Sequence, residues 1–148
     1  MRIDRARLQQ DILPFTFQMQ TRYDDLDKVG HVNNVAVAAL FQEGRNRFIY
    51  AFDLMKAAPC PLVVASLNIE FAADLFHPEP VDISVGVLEV GRTSFRLGQV
   101  ARQNGRIAAY AEVVQVARGD TGSIALPDVW RPILERLLIG RPPALIAD

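Results

Sequence analysis

The chain has 148 residues and a mass of 16.5 kDa, the size of one domain rather than two. It is 50% hydrophobic and 22% charged, enough apolar matter for a sizeable core and too much for a disordered chain. A formal net charge of -1, with no block rich in Lys and Arg, excludes an electrostatic case for a nucleic-acid partner, and the single cysteine, Cys60, excludes an internal disulfide framework or a multi-cysteine zinc site.

In chain order, the first eleven residues alternate charge and contain no apolar stretch of the kind a secretory signal needs. Ile12 to Arg22 alternates apolar and polar residues through Phe15, Phe17 and Met19, which predicts a first strand starting after Pro14. A polar loop from Tyr23 to Asn34 follows, and Asn33 or Asn34 is a natural N-cap for the next element.

From Val35 to about Met55 the period changes. Val37, Phe41, Gly44, Phe48 and Met55 recur at helical spacing and predict one long helix with a broad apolar face. Gly44 lies within that face, where glycine costs about 1 kcal/mol against alanine, so a close approach to a sheet is the expected compensation. Gln42, Glu43, Arg45 and Arg47 interrupt the apolar run, leaving it short of the roughly 20 apolar residues a membrane span requires. The expectation is a cytoplasmic protein with no membrane partner.

After Pro61 the pattern turns to period two. Val63–Phe71, Val81–Val87, Ser94–Arg102 and Ile107–Ala117 read as four strands, separated by turns at His77-Pro-Glu-Pro, Gly91-Arg92 and Asn104-Gly105. Pro127 opens a short helix (127–139), with Val129, Ile133, Leu137 and Leu138 expected on one apolar side, and the tail from Arg141 is too short for a domain. One apolar helix with an antiparallel sheet of about five strands predicts a single α+β domain over 1–148, its core spanning about 12–118.

The loop Arg22-Tyr-Asp-Asp-Leu-Asp-Lys-Val-Gly-His-Val-Asn-Asn34, followed by Phe41-Gln-Glu-Gly-Arg45, resembles the signature of the 4-hydroxybenzoyl-CoA thioesterase-like hotdog family. The likeness is to its Asp-x-Asp-x-x-Gly-His-Val-Asn-Asn … Glu-x-x-Arg branch, carried by Asp25, Asp27, Gly30, His31, Val32, Asn33, Asn34 and Glu43. Arginine is displaced, falling at Arg45 and Arg47 rather than at the third position after Glu43, which is Asn46. The resemblance implies a hotdog fold, a long central helix wrapped by a curved antiparallel sheet. It also implies hydrolysis of an acyl-CoA or acyl-carrier-protein thioester.

On that resemblance Asp27 is the nucleophile or the general base for water. The amides at the helix start would polarise the carbonyl, and Gly30, Val32, Asn33 and Asn34 would line the substrate. Asp25 is expected to hold the loop against Arg22. Plant-type acyl-carrier-protein thioesterases with a similar Asp-x-Asn-x-His arrangement use the Asn, but here that position is Val29, so His31 is given a supporting catalytic part. Glu43, four residues before Arg47, makes a helical ion pair in the plainer reading; a related branch has a catalytic Glu on this helix, which makes Glu43 an alternative base near the substrate. Gly91-Arg92-Thr93-Ser94-Phe95 resembles a turn that receives CoA in relatives, with Arg92 suited to a phosphate and Thr93 and Ser94 to pantetheine.

No resident cofactor and no metal is expected: the two histidines, His31 and His77, have no metal-ligand spacing, and CoA would enter as part of the substrate. The exposed sheet edges, together with the resemblance, imply a homodimer or homotetramer. Two other readings stand beside hydrolysis. One is a hotdog enoyl-CoA hydratase or dehydratase using Asp and His, although that pattern is Asp-x-Asn-Pro-x-His and this chain reads Asp-Lys-Val-Gly-His. The other is an acyl-CoA-binding hotdog protein without catalysis.

Overall fold

The pattern of strand, long helix and antiparallel strands is what the computed structural model of the chain displays, and it describes residues 2–10 and 13–140. The order is α1 (Arg5–Gln10), β1 (Phe15–Met19), a 3₁₀ turn (Tyr23–Asp25), α2 (Asn34–Ala51), α3 (Leu54–Ala57), β2 (Leu62–Phe71), β3 (Val81–Val90), β4 (Ser94–Gln103), β5 (Arg106–Gly119), β6 (Gly122–Ser123) and α4 (Trp130–Arg136). The strands lie side by side as β1-β3-β4-β5-β2, all antiparallel, with the two-residue β6 on β5. Bulges between Val64 and Ser66, between Val87 and Glu89, and between Ala101 and Arg102 bend this sheet around α2. This is the α+β hotdog architecture, with β1 and β2 at the two edges of the sheet among the described residues.

The helical stripe packs as its spacing predicts. Val37, Phe41, Gly44 and Phe48 of α2 are buried against Val81, Ile83, Val85, Leu97 and Val113 of the sheet. Gly44 is the point of closest approach. A Cβ placed there would lie 2.4 Å from Cγ2 of Ile83, which explains glycine inside a helix. The Asn104-Gly105 hairpin has φ of 52° and 77° at its two centres, the conformation its sequence calls for.

Two expectations need correction. The long helix does not run to Met55: it ends at Ala51, Asp53 turns left-handed (φ 58°), and α3 starts at Leu54, whose side chain is completely buried. Aspartate tolerates this conformation better than most side chains, so the chain bends to place Leu54 in the core instead of continuing straight. The last helix is shorter than 127–139, and Val129 and Leu138 face solvent. Its buried residues are Trp130, Leu134 and Leu137, because the Trp130 indole N–H donates to the carbonyls of Leu54 (2.7 Å) and Ala58 (3.0 Å). In the turn after β2, Nδ1 of His77 lies 2.7 Å from the Thr21 hydroxyl.

The N-terminal segment, without predicted structure, carries α1 on the outer face of the sheet. Leu8 sits over Gly98, and a second apolar cluster joins Ile3, Leu8 and Leu13 to Leu88, Val100, Tyr110 and Ile139. Glu70 of β2 fixes this layer by accepting from the Ile3 amide (2.7 Å) and the Arg5 guanidinium (2.8 Å). The first strand starts after Pro14, as expected, at Phe15, whereas Ile12 and the tail beyond Gly140 lie outside the described residues.

Candidate active site

The segment from Thr21 to Asn34 is held by its own polar groups. The Asp25 carboxylate, 7% exposed, accepts from the Arg22 amide (2.9 Å) and from its guanidinium (2.9 and 3.2 Å). Burial opposes its ionisation, but the hydrogen bonds and charge of Arg22 prevail and hold the carboxyl below the ordinary aspartate value. Asn33 fastens the other end. Its amide nitrogens, main-chain and side-chain, both donate to the Asp25 carbonyl (2.8 Å each), and its Oδ1 caps α2 by accepting from the Ala36 amide at 2.8 Å.

Between these anchors, Leu26 and Val32 form a small antiparallel bridge, and the Val32 amide donates to the Leu75 carbonyl at 2.9 Å. The tip is closed by Asp27. Its amide donates to the His31 carbonyl (2.8 Å), its carbonyl accepts from Gly30 (3.1 Å), and its Oδ1 accepts from the amides of Val29 (2.9 Å) and His31 (3.1 Å). Gly30 adopts φ 88°, open to glycine at no steric cost. The His31 amide chiefly, against an opposing desolvation and with smaller help from the Val29 and Gly30 amides, keeps the Asp27 carboxyl below its ordinary value. Asp27 is therefore ionised at neutral pH. Its Oδ2 has no protein partner among the described residues.

Asp27 faces a cleft. A cavity of about 250 Å³ is lined by Asp27, His31, Asn34, Val37, Phe71 and Asp74, with Val32 and Ala109 behind them. His31 stands at its side, Nδ1 3.5 Å from the Asp74 carboxylate and its ring edge-on to Phe76 at 5.3 Å. At the start of α2 the amides of Asn34 and Val35 have no acceptor among the described residues, since Asn33 satisfies only that of Ala36. An anionic carboxylate and Asn34, at the positive end of an 18-residue helix, thus share one cleft.

Other predicted residues lie elsewhere in the chain. Glu43 pairs with Arg47 at 2.8 Å, and both line a separate cavity of about 510 Å³ between β1 and α2, beside Phe17, Met19 and Leu40. Nine residues of helix separate Glu43 from Asn34, about 14 Å. Arg92, Thr93 and Ser94 form the β3–β4 turn, where the Thr93 carbonyl accepts from Ala117, the partner of Leu62. The Asp27 cleft lies at the other end of β2, beside Phe71, nine residues and about 30 Å away.

The cleft also contains residues that the motif did not mark. Phe71 ends β2 and Asp74 follows it, no spacing in the sequence ties them to Asp27, and the hydrogen bond of Val32 to Leu75 joins the two segments; Phe76 stands behind, against the His31 ring. Two buried polar groups were equally silent. Arg45 is 4% exposed and Gln115 5%, and neither Nη1 of Arg45 nor Oε1 of Gln115 has a hydrogen-bond partner among the described residues. Arg45 is one of the two arginines, with Arg47, that stand off the family pattern's position. Burial lowers its pKa. Among the described residues, no group of three or more His, Cys, Asp or Glu side chains is placed to hold a metal ion, and no helix is long and apolar enough to cross a membrane.

Residues 21–133 match the model of the thioesterase-like superfamily, a span that holds the loop, α2 and strands β2 to β6. The chain belongs to that superfamily, whose class of activity is hydrolysis of thioester bonds. No curated protein matches the sequence. Among solved structures, a thioesterase from Thermus thermophilus complexed with coenzyme A and Zn is 27% identical over 90% of this chain and 100% of that one, with a TM-score of 0.77. A predicted thioesterase from Bacillus stearothermophilus is 26% identical, over 86% and 98% of the two chains, with a TM-score of 0.76. The DHNA-CoA thioesterase from Staphylococcus aureus, 20% identical over 82% and 88%, shares the fold with a TM-score of 0.73.

Proposed function

We propose that this chain cleaves an acyl-CoA or acyl-carrier-protein thioester to free acid and thiol at the Asp27 cleft. One observation carries the reading: an ionised carboxylate with one oxygen tied to two amides and the other unengaged, in the cleft that Asn34 shares at the start of α2. Asp27 attacks the thioester carbonyl, or takes a proton from a water that does. The Asn34 and Val35 amides stabilise the oxyanion as the tetrahedral intermediate forms. The C–S bond then breaks: on the general-base path the thiolate takes the proton that Asp27 drew from water, and on the nucleophilic path water hydrolyses the acyl–Asp27 anhydride to the free acid, restores the carboxylate and supplies the thiol's proton. His31, steadied by Asp74 and Phe76, has a supporting part at the cleft wall. The Gly30–Asn34 backbone bears the substrate's reacting end. The reaction calls for no resident cofactor, since CoA arrives with the substrate, and the reading is of a cytoplasmic enzyme.

The active unit in this reading is at least a homodimer joined through β2. A cavity of 250 Å³ is below the range of about 300–1,000 Å³ common for small-molecule sites, so the cleft is incomplete alone. This edge exposes Val64, Leu67 and Phe71, apolar side chains that an unpaired strand in water would normally avoid. Antiparallel pairing of two such edges about a two-fold axis sets the Leu62 end of one beside the Phe71 end of the other. Arg92, Thr93 and Ser94 of the partner subunit then come to the end where Asp27 stands, as receivers of CoA. Glu43, paired with Arg47 in another cavity, has no step in this mechanism.

The test is thiol release from a panel of saturated acyl-CoAs, run beside crotonyl-CoA. Release from saturated substrates, lost in Asp27→Ala, is the expected result. Hydration of crotonyl-CoA without thiol release from any substrate would turn the assignment to a hydratase, the nearest alternative because Asp27 and His31 share one cavity.

A further inference from the structure

Asp27 does not complete the reaction alone. On the nucleophilic path it is acylated at the moment water must be activated. Even when free, a carboxyl held below its ordinary value is a weak base. A second group has to move a proton between water and sulfur. Besides Asp27, the polar side chains lining the cleft are those of His31, Asn34 and Asp74, and an imidazole is the side chain suited to that task.

The ring of His31 is oriented from outside its own loop. The connection 72–80 between β2 and β3 runs beside it and is fastened at several points. The Ala72 and Ala73 amides both donate to the Ala108 carbonyl (2.8 and 3.0 Å), and the Leu75 carbonyl accepts from Val32. Gln103, buried at the end of β4, locks the rest. Its Oε1 accepts from the Phe76 amide (2.9 Å), and its Nε2 donates to the carbonyls of Phe76 (2.7 Å) and Glu79 (2.9 Å). This connection sets Phe76 edge-on to the imidazole at 5.3 Å and places Oδ1 of Asp74 3.5 Å from its Nδ1. Nε2 has no protein partner among the described residues. A carboxylate at Nδ1 draws the ring proton to that nitrogen and leaves the lone pair on Nε2.

We infer that Asp74 is a positioning residue, holding His31 with Nδ1–H turned toward its carboxylate so that Nε2 carries a proton from the attacking water to the departing sulfur. The inference rests on the thioesterase reading and adds a residue that the sequence motif does not mark. On the nucleophilic path the thiolate leaves as Asp27 forms the acyl anhydride. Water then bonds to the acyl carbon, one of its protons passes to Nε2, and the bond to Asp27 breaks, giving the free acid and the carboxylate. The imidazolium, opposite the Asp74 charge, returns that proton to the thiolate. On the general-base path Asp27 takes the proton first, and Nε2 passes it on to sulfur.

The experiment measures kcat and KM for Asp74→Asn, Asp74→Glu, His31→Gln and the double variant, with the saturated acyl-CoA that wild type cleaves fastest. The Asp74 side chain is 60% exposed, so its substitution leaves the fold intact. Asp74→Asn is expected to lower kcat about tenfold to a hundredfold, with KM held within about twofold, and Asp74→Glu to recover most of that loss. The double variant should be no slower than His31→Gln, because Asp74 acts only through the ring. Wild-type kcat in Asp74→Asn, a loss confined to KM, or losses that multiply in the double variant would overturn the inference. Nuclear magnetic resonance of the ring nitrogens adds a readout independent of turnover. The chain has two histidines, and His31→Gln assigns their signals by removing one set. In the neutral ring, the His31 proton is expected on Nδ1 in wild type and on Nε2 in Asp74→Asn. A wild-type ring protonated on Nε2, or one unaltered in Asp74→Asn, also overturns it. Absence of thiol release from every acyl-CoA would defeat the thioesterase reading instead, and the ring tautomer then decides whether Asp74 orients His31.

Discussion

Asp27 has one carboxylate oxygen committed to the Val29 and His31 amides and one at liberty in the cleft. Those amides fix its direction and favour its charge, so the group is ready to act without first losing a proton. Activity should therefore hold as pH falls through the ordinary carboxylate range and decline only below it, a profile that kcat/KM measured from about pH 3 upward would display. Gly30 sets the turn that aims these amides. Gly30→Ala should destabilise the loop by about 1–2 kcal/mol, since alanine resists φ of 88° although nothing crowds its Cβ. Activity should fall more than the melting temperature. Asp25 acts on stability instead. Its folded pKa lies below the unfolded value, so its contribution is complete above the unfolded pKa and vanishes as pH drops through the folded one. Urea unfolding should show wild type losing stability below about pH 4 more steeply than Asp25→Asn.

At the scale of elements, α2 owes its seat to Gly44. Gly44→Ala gains about 1 kcal/mol of helix propensity but sets a methyl 2.4 Å from a side-chain branch of the fully buried Ile83. Overpacking of this kind costs about 1–3 kcal/mol, so denaturant unfolding should show a net loss. This contact was legible in the sequence, because glycine in an apolar helical stripe requires a close neighbour. The strands and the Asn104-Gly105 turn were legible for the same reason, as local patterns with one steric solution. What escaped was set by distant partners. Leu8 is one apolar residue among charges, and only Gly98, ninety positions on, makes room for it. The break at Asp53 follows from the burial of Leu54, and the orientation of α4 from the indole of Trp130, whose acceptors are two carbonyls of α3 and its end. The loop of the site was readable up to Asn34, whereas Phe71 and Asp74 reach it through the Val32–Leu75 pairing.

For the whole molecule, the sheet ends at β1 and β2, and β2 pairs only with β5 among the described residues and exposes Val64, Leu67 and Phe71. Leu67→Lys should leave the monomer folded by circular dichroism yet shift its mass by light scattering to one 16.5 kDa chain. Activity should fall with it, since each cleft then lacks its other half. A monomeric wild type, or a monomeric variant of full activity, would contradict the shared-site arrangement.

The account stands most directly on the side chain at position 27, and Asp27→Asn keeps its size while removing its charge. With a thioester that wild type cleaves, the variant should bind with similar affinity by calorimetry and release thiol at least about a hundredfold more slowly. Thiol release at the wild-type rate from a folded Asp27→Asn would contradict the proposed chemistry.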